Sequence, residues 1–229
     1  MSKNIVVIGF GPGISSAVTE RFAAEGFRAA LVARNKDRLA KGVSALKAKG
    51  IAAAAFSADA SDPAAISAAI AKARAELGGP ITVIHWNAYS GEEAGDLMTA
   101  EPAAMRRVFD VAIVGLLGAV RHALADLKQT KGAVLVTNGA FGELNPQMDE
   151  LASNMKTMGL ALANAAKHKL VGLLAQRLKA DGVYVGEVMV AGAIKGTAWG
   201  GDNGIEASKV ADAFWTLFDG RREIHARVS

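Results

Sequence analysis

The sequence predicts a doubly wound α/β domain, a mostly parallel sheet with helices on both faces. Short apolar runs alternate with segments of helical spacing from residue 4 to residue 190. A glycine-rich turn, Gly9-Phe10-Gly11-Pro12-Gly13, directly follows the first apolar run. The 229 residues are 51% hydrophobic and include 25 glycines, which fits a single tightly packed domain over 1–229 better than a disordered chain.

The strands are expected at Ile5–Ile8, Ala29–Val32, Ala52–Phe56, Ile81–His85, Ala133–Val136 and Val183–Val190. Each is a short apolar run bounded by glycine or polar residues, the pattern of a buried parallel strand. Helical spacing predicts helices at Ser16–Ala24, Lys36–Lys49, Pro63–Leu77 and Pro102–Lys128, with a long one inside Leu151–Lys179. Ser61-Asp62-Pro63 and Glu101-Pro102 set proline in a first helical turn, and Gly26, Gly50 and Gly182 stand where helices should stop. Ala207–Phe218 is amphipathic, and Glu223–Val228 reads as a final edge strand.

The net charge is +4, from 26 basic and 22 acidic residues with no block of like charge, so no nucleic-acid surface is expected. No unbroken apolar run reaches the ~18 residues of a membrane span. Met1-Ser2-Lys3-Asn4 leads straight into a run too short for a secretory signal, so a cytoplasmic protein is expected. Without cysteine there are no disulfides, thiolate nucleophiles or cysteine metal sites. His85, His122, His168 and His225 are far apart and lack ligand spacing, so no metal site is expected. His85 lies in a strand and reads as an interior histidine. No G-x-S-x-G elbow or Lys-Ser/Thr pair after the glycines supports a hydrolase or a P-loop.

The glycine turn carries the first functional signal. Glycine at a strand end permits a tight turn, and a second lets backbone approach a pyrophosphate. The helix beginning near Ile14 aims its free N–H groups at that phosphate. Gly9-Phe10-Gly11-Pro12-Gly13-Ile14-Ser15 resembles the TGxxxGIG turn of the short-chain dehydrogenase/reductase family, with Ile8 and Ser15 replacing the threonine and the last glycine. "EGFRAALVARNKDRL" (25–39), "ADASD" (58–62), "WNAY" (86–89), "GAVLVTNGAFG" (132–142) and "GVYVGEVMVAGAIKGT" (182–197) resemble further elements of that family, in order.

The resemblance implies a nicotinamide cofactor. Gly9, Phe10, Gly13 and Ile14 would hold its pyrophosphate side, Asp59 and Ala60 its adenine side, and Asn87 and Ala88 its ribose. Ile194 and Thr197 would meet the carboxamide and pyrophosphate. An acid at the end of the second strand would select NAD; here Arg34 follows Ala33, and its planar fork suits a 2′-phosphate. NADP(H) is therefore expected over NAD(H), the alternative being an ordinary exposed arginine.

The resemblance also implies a catalytic tyrosine, a lysine four residues later, a serine and a relay asparagine. The only tyrosines, Tyr89 and Tyr184, lie outside the segment after the fifth strand. Three registers pair the tyrosine and lysine positions with Ala152 and Lys156, Ala163 and Lys167, or Leu160 and Asn164. The spacing of Gly172 and Leu173 favours Lys167. Asn138 or Gly139 takes the serine position, and Ala112 the relay position. The remaining candidates are Tyr89 and Lys167 as proton donors and Asn138 as a hydrogen-bond donor to an oxyanion. Glu143–Met158, with Trp86 and Trp199, would line a substrate pocket. The expected function is an atypical NADP(H)-dependent oxidoreductase on a small carbonyl or alcohol, as a homodimer or homotetramer. Cofactor binding without turnover is the alternative.

Overall fold

The computed structural model describes residues 3–197 and 199–229; Met1, Ser2, Ala198 and the side chain of Glu92 lie outside the described residues. Seven strands form one sheet: β1 Lys3–Ile8, β2 Phe27–Ala33, β3 Ala53–Ser57, β4 Val83–Trp86, β5 Ala133–Gly139, β6 Tyr184–Val190 and β7 His225–Val228. Their order is β3-β2-β1-β4-β5-β6-β7, and every pairing is parallel. The connection from β3 returns past β1 to β4, so strand order reverses between β1 and β4. In such sheets that crevice, at the carboxyl ends, is where ligands bind. The expected strands and the edge strand all form, within a few residues at their ends.

Helices α1 Ile14–Ala23, α2 Lys36–Ala48 and α8 Ala207–Gly220 cover one face. The other face carries α3 Pro63–Leu77, α5 Leu116–Thr130 and α7 Met158–Leu178. α4 Pro102–Phe109 leads into α5, and α6 Pro146–Asn154 precedes α7. Ile5–Ile8 of β1 and Val83–Trp86 of β4 are buried on both faces, which explains their continuous apolar sequence. Burial of side chains as large as Phe22, Trp86 and Phe214 supplies about 2–3 kcal/mol each.

Local chemistry sets the helix ends. Asp62 caps α3 by accepting hydrogen bonds from the N–H groups of Ala64 and Ala65, and Gly78 ends it in the left-handed conformation at φ 61°. Asn35 caps α2 through the N–H of Arg38 at 2.8 Å.

Two expected helices differ. The stretch expected as one helix over 102–128 contains a π-helical turn, Asp110–Gly115, between α4 and α5. There Gly115 has no side chain to separate it from the Ala60 carbonyl, so the helix presses against the end of the third βα connection. By length and composition alone Pro102–Thr130 is also long and apolar enough to cross a membrane, although charged residues such as Asp110 and Arg121 interrupt it. Its α5 portion packs against α3 and β4. The second difference lies in 146–178, where α6 and α7 are separated by Lys156 at φ 52°.

Candidate active site at the carboxyl end of the sheet

The glycine turn is fastened on both sides. Gly9 N–H and Phe10 N–H donate to the Val32 carbonyl at 2.9 and 3.0 Å. Asn87 N–H donates to the Ile8 carbonyl at 2.8 Å, and Asn87 Nδ2 donates to the Gly9 carbonyl at 3.2 Å. Gly9 adopts φ 86°, and a β-carbon there would lie 2.6 Å from Ala88 Cα. Only glycine satisfies both constraints. Gly13, at φ 91°, lies beneath the loop after β6: its β-carbon position is 3.4 Å from both Ile194 and Thr197. Thr197 Oγ1 donates to the Ile194 carbonyl at 2.6 Å, closing that loop. The expected residues Gly9, Gly13, Asn87, Ala88, Ile194 and Thr197 are thus brought together. Phe10 instead turns inward, 4% exposed, against Gly42.

α1 starts at Ile14 with no side chain capping its first turn, so its free N–H groups face this crevice. Ser15, replacing the pattern's last glycine, is fully buried. Its Oγ accepts from Gly11 N–H at 2.8 Å and donates to the Gly11 carbonyl at 2.9 Å. The hydroxyl thereby stiffens the turn that a glycine would leave loose.

Beside the turn lies an open groove of about 550 Å³, lined by Phe10, Gly11, Asp37, Arg38, Lys41 and Gly42 among others. Arg34 is exposed immediately after β2, next in sequence to Asn35, which lines the groove. Arg38 lies across Gly11, 3.6 Å from its β-carbon position. Among the described residues none of Arg34, Arg38 and Lys41 forms an ion pair. Arg34 was the cation singled out from the sequence; Arg38 and Lys41, three apart on the start of α2, were a readable signal as well.

Asp59 accepts from Ser61 N–H at 2.9 Å, Ser61 Oγ at 2.8 Å and Arg107 Nη2 at 2.9 Å. Burial pushes its carboxyl up, but these bonds and the Arg107 charge prevail and hold it down at about 2. It is therefore a carboxylate that ties β3 to α4. Ala60 contributes its carbonyl to the Gly115 contact.

The reacting side differs from the expectation. Asn138 is buried, and both hydrogens of its amide are engaged: Nδ2 donates to the Asn164 carbonyl at 3.0 Å and to Glu187 Oε1 at 2.6 Å. No hydrogen remains for a substrate oxygen. Gly139 follows it, and the α7 side chain nearest its β-carbon position is Asn164, at 2.7 Å. Lys167 lies one turn beyond, 3% exposed; burial pushes its ammonium down to about 8, partly offset by the Glu187 carboxylate. The structure thus sets Asn164 against the serine position, with Lys167 buried one turn further along α7. Ala112 lies in the π turn and packs with Ala94, Ala104, Val108 and Ala163. Tyr89, after β4, is 63% exposed and has no hydrogen bond among the described residues. Tyr184 is at the amino end of β6, where its hydroxyl donates to the Glu223 carbonyl and burial raises its pKa to about 12.

The expected pocket wall is only partly present. Trp86 is fully buried core, because β4 carries it between two helical layers. Leu144, Leu151 and Met155 do expose apolar surface in and beside α6, and Trp199 does so in the loop after β6. The histidines also depart from expectation. His168 and His225, 57 residues apart in sequence, have ring centroids 4.6 Å apart, because β6–β7 pairing and the crossing of α7 converge on Glu187. His85 is interior as expected. Its Nε2 is 3.1 Å from Thr137 Oγ1, while Nδ1 is buried without a partner among the described residues.

Comparison with known proteins agrees with this architecture. The profile described as short chain dehydrogenase matches residues 3–199. A 2,3-dihydro-2,3-dihydroxybenzoate dehydrogenase of Bacillus subtilis is 31% identical over 170 residues, covering 70% of this chain and 64% of that protein. A 3-dehydrosphinganine reductase of Arabidopsis thaliana is 31% identical over 131 residues, covering 57% and 38%. The chain thus spans between 38% and 64% of the length of these two relatives. The structure of L-sorbose reductase from Gluconobacter frateurii, complexed with NADPH and L-sorbose, superimposes with a TM-score of 0.85 at 20% identity, covering 100% of this chain and 96% of that one. With the glycine turn, the parallel sheet and a profile match over most of its length, the chain belongs to the short-chain dehydrogenase family.

Proposed function

We propose that this protein is an NADP(H)-dependent oxidoreductase that interconverts a small carbonyl compound and its alcohol. The observation that carries this reading is the glycine turn with a groove beside it whose charged lining is two cations, Arg38 and Lys41, against one carboxylate, Asp37. Arg34, Arg38 and Lys41 carry positive charge unpaired by any described residue, beside a glycine turn that only backbone can line. That is the chemistry of a 2′-phosphate site next to a pyrophosphate cradle. The NADPH bound to the L-sorbose reductase of the same fold supports it.

The residues fit the cofactor along the whole crevice. Gly9, Gly13 and the first N–H groups of α1 would hold the pyrophosphate, and Asn87 and Ala88 the nearer ribose. Asp59 and Ala60 border the adenine side, and Ile194 and Thr197 cover the nicotinamide end. When bound, the nicotinamide supplies or accepts a hydride at the substrate carbon. The exposed apolar side chains around α6 would exclude water from that carbon.

Proton supply is the atypical part. Tyr89, with a free hydroxyl at the carboxyl end of β4, is the proposed donor to the substrate oxygen. Tyr184 is tied down at the other end of the sheet. Asn138 and Lys167 act from beneath: Asn138 fixes the Gly139 turn, and Lys167 balances the Glu187 charge. The test is loss of NADPH absorbance with a panel of small aldehydes and ketones. Turnover that Tyr89→Phe lowers supports the reading. A second reading, cofactor binding without turnover, is favoured by the amide of Asn164, which has no proton to give, standing opposite Gly139. Saturable NADPH binding with no oxidation across the panel would select it.

A further inference from the structure

We propose that His168, Glu187 and His225 form a binding site for one divalent transition-metal ion of the zinc class, at the edge of the sheet. The fold builds the site from three elements. Parallel pairing sets His225 of β7 opposite Glu187 of β6. α7 crosses the same face and brings His168 onto the same carboxylate. His168 Nδ1 is 2.6 Å and His225 Nδ1 2.9 Å from a single oxygen, Glu187 Oε2, and the three ligand atoms all lie within 4.8 Å of one another.

A tetrahedral ion with bonds of ~2.0–2.1 Å needs ligand atoms about 3.4 Å apart, so from 2.6 and 2.9 Å the imidazoles of His168 and His225 must swing outward by about 0.8 and about 0.5 Å. They have room: the histidine side chains are 42% and 43% exposed, while the carboxylate is fully buried. The carboxylate is also held still, since its other oxygen accepts from Asn138 Nδ2 at 2.6 Å. A ligating group oriented by an outer hydrogen bond is a recurring feature of metal sites. The open side leaves positions for water.

The donor set selects the ion. Two imidazole nitrogens and one carboxylate oxygen suit zinc, cobalt or nickel, whereas magnesium and calcium require a cage of oxygens. The nearby Lys167 ammonium opposes a dication, which sets affinity below that of an all-anionic structural site. The consequence is mechanical: the ion would pin the C-terminal strand β7 to β6 and α7.

The test uses the untagged full chain, stripped with a chelator and titrated with zinc against a chromophoric chelator, alongside His168→Ala and His225→Ala. Far-UV circular dichroism confirms that each variant is folded; if His168→Ala is not, His225→Ala at the exposed edge strand decides. The expected result is one zinc per chain, weakened at least about tenfold in each folded variant. Zinc, and not magnesium, should raise Tm in the wild type only. Equal affinity in wild type and variants, or no saturable zinc binding by the wild type, overturns the proposal.

Discussion

Acid should destabilise this protein through His85, and the size of the effect follows from its burial. The imidazole is fully enclosed on β4, packed edge-on against Phe214 at 4.8 Å, and burial lowers its pKa from 6.5 to about 3. The unfolded chain therefore takes up a proton below pH 6.5 that the folded chain refuses. His85's contribution is fully present above pH 6.5 and is lost as pH falls toward 3. One proton costs about 1.4 kcal/mol per pH unit, so the loss is about 2 kcal/mol at pH 5 and about 5 kcal/mol at the lower limit. The assay is denaturant unfolding near pH 7.5 and near pH 5 for the wild type and His85→Gln. The variant loses the refused proton, and every other group is common to both proteins. The wild type should lose about 2 kcal/mol more than the variant. Parallel losses would refute the assignment of a buried neutral imidazole. The result bears on the site, because β4 carries Asn87 and Ala88 to the glycine turn.

Gly9→Ala should lower stability by about 2–3 kcal/mol, a Tm drop of roughly 5–10 °C, because it adds a β-carbon at φ 86° against the Ala88 backbone; thermal unfolding measures this. Tyr89→Phe should leave Tm and NADPH affinity unchanged and lower turnover about 10²–10⁴-fold in steady-state assays; unchanged turnover removes it as donor. Leu162 and Leu173 expose apolar surface on α7, 41% and 57%. Light scattering should accordingly find a homodimer or homotetramer, and Leu173→Glu should shift it toward monomer.

Much of the fold was legible because local chemistry marks it. α3 forms over the residues expected, Pro63–Leu77, since a proline opens it and Gly78 closes it in a left-handed turn. The π turn was not legible, because it depends on Gly115 meeting a carbonyl 55 residues away. Nor was the α6–α7 break, where a lysine, not a glycine, takes positive φ. In the site, the glycine turn and Asn87 were readable from their place after β1 and β4. Arg38 and Lys41 were readable too, but were missed. The pairing of Asn164 with Gly139 required the true crossing of α7 over β5. His168 and His225 meet only because β6 and β7 pair in one particular register, which sequence separation hides.

The central claim is that the crevice between β1 and β4 holds NADP(H) and that the cations after β2 choose it. Calorimetric titration with NADPH and then NADH tests it most directly, on the wild type and on Arg34→Ala and Arg38→Ala. Micromolar NADPH binding is predicted, with NADH much weaker. Loss of one charge-assisted contact should cost NADPH roughly 1.5–3 kcal/mol, about 10- to 150-fold, and NADH little. No binding of either nucleotide, or equal losses for both in the variants, would contradict the account.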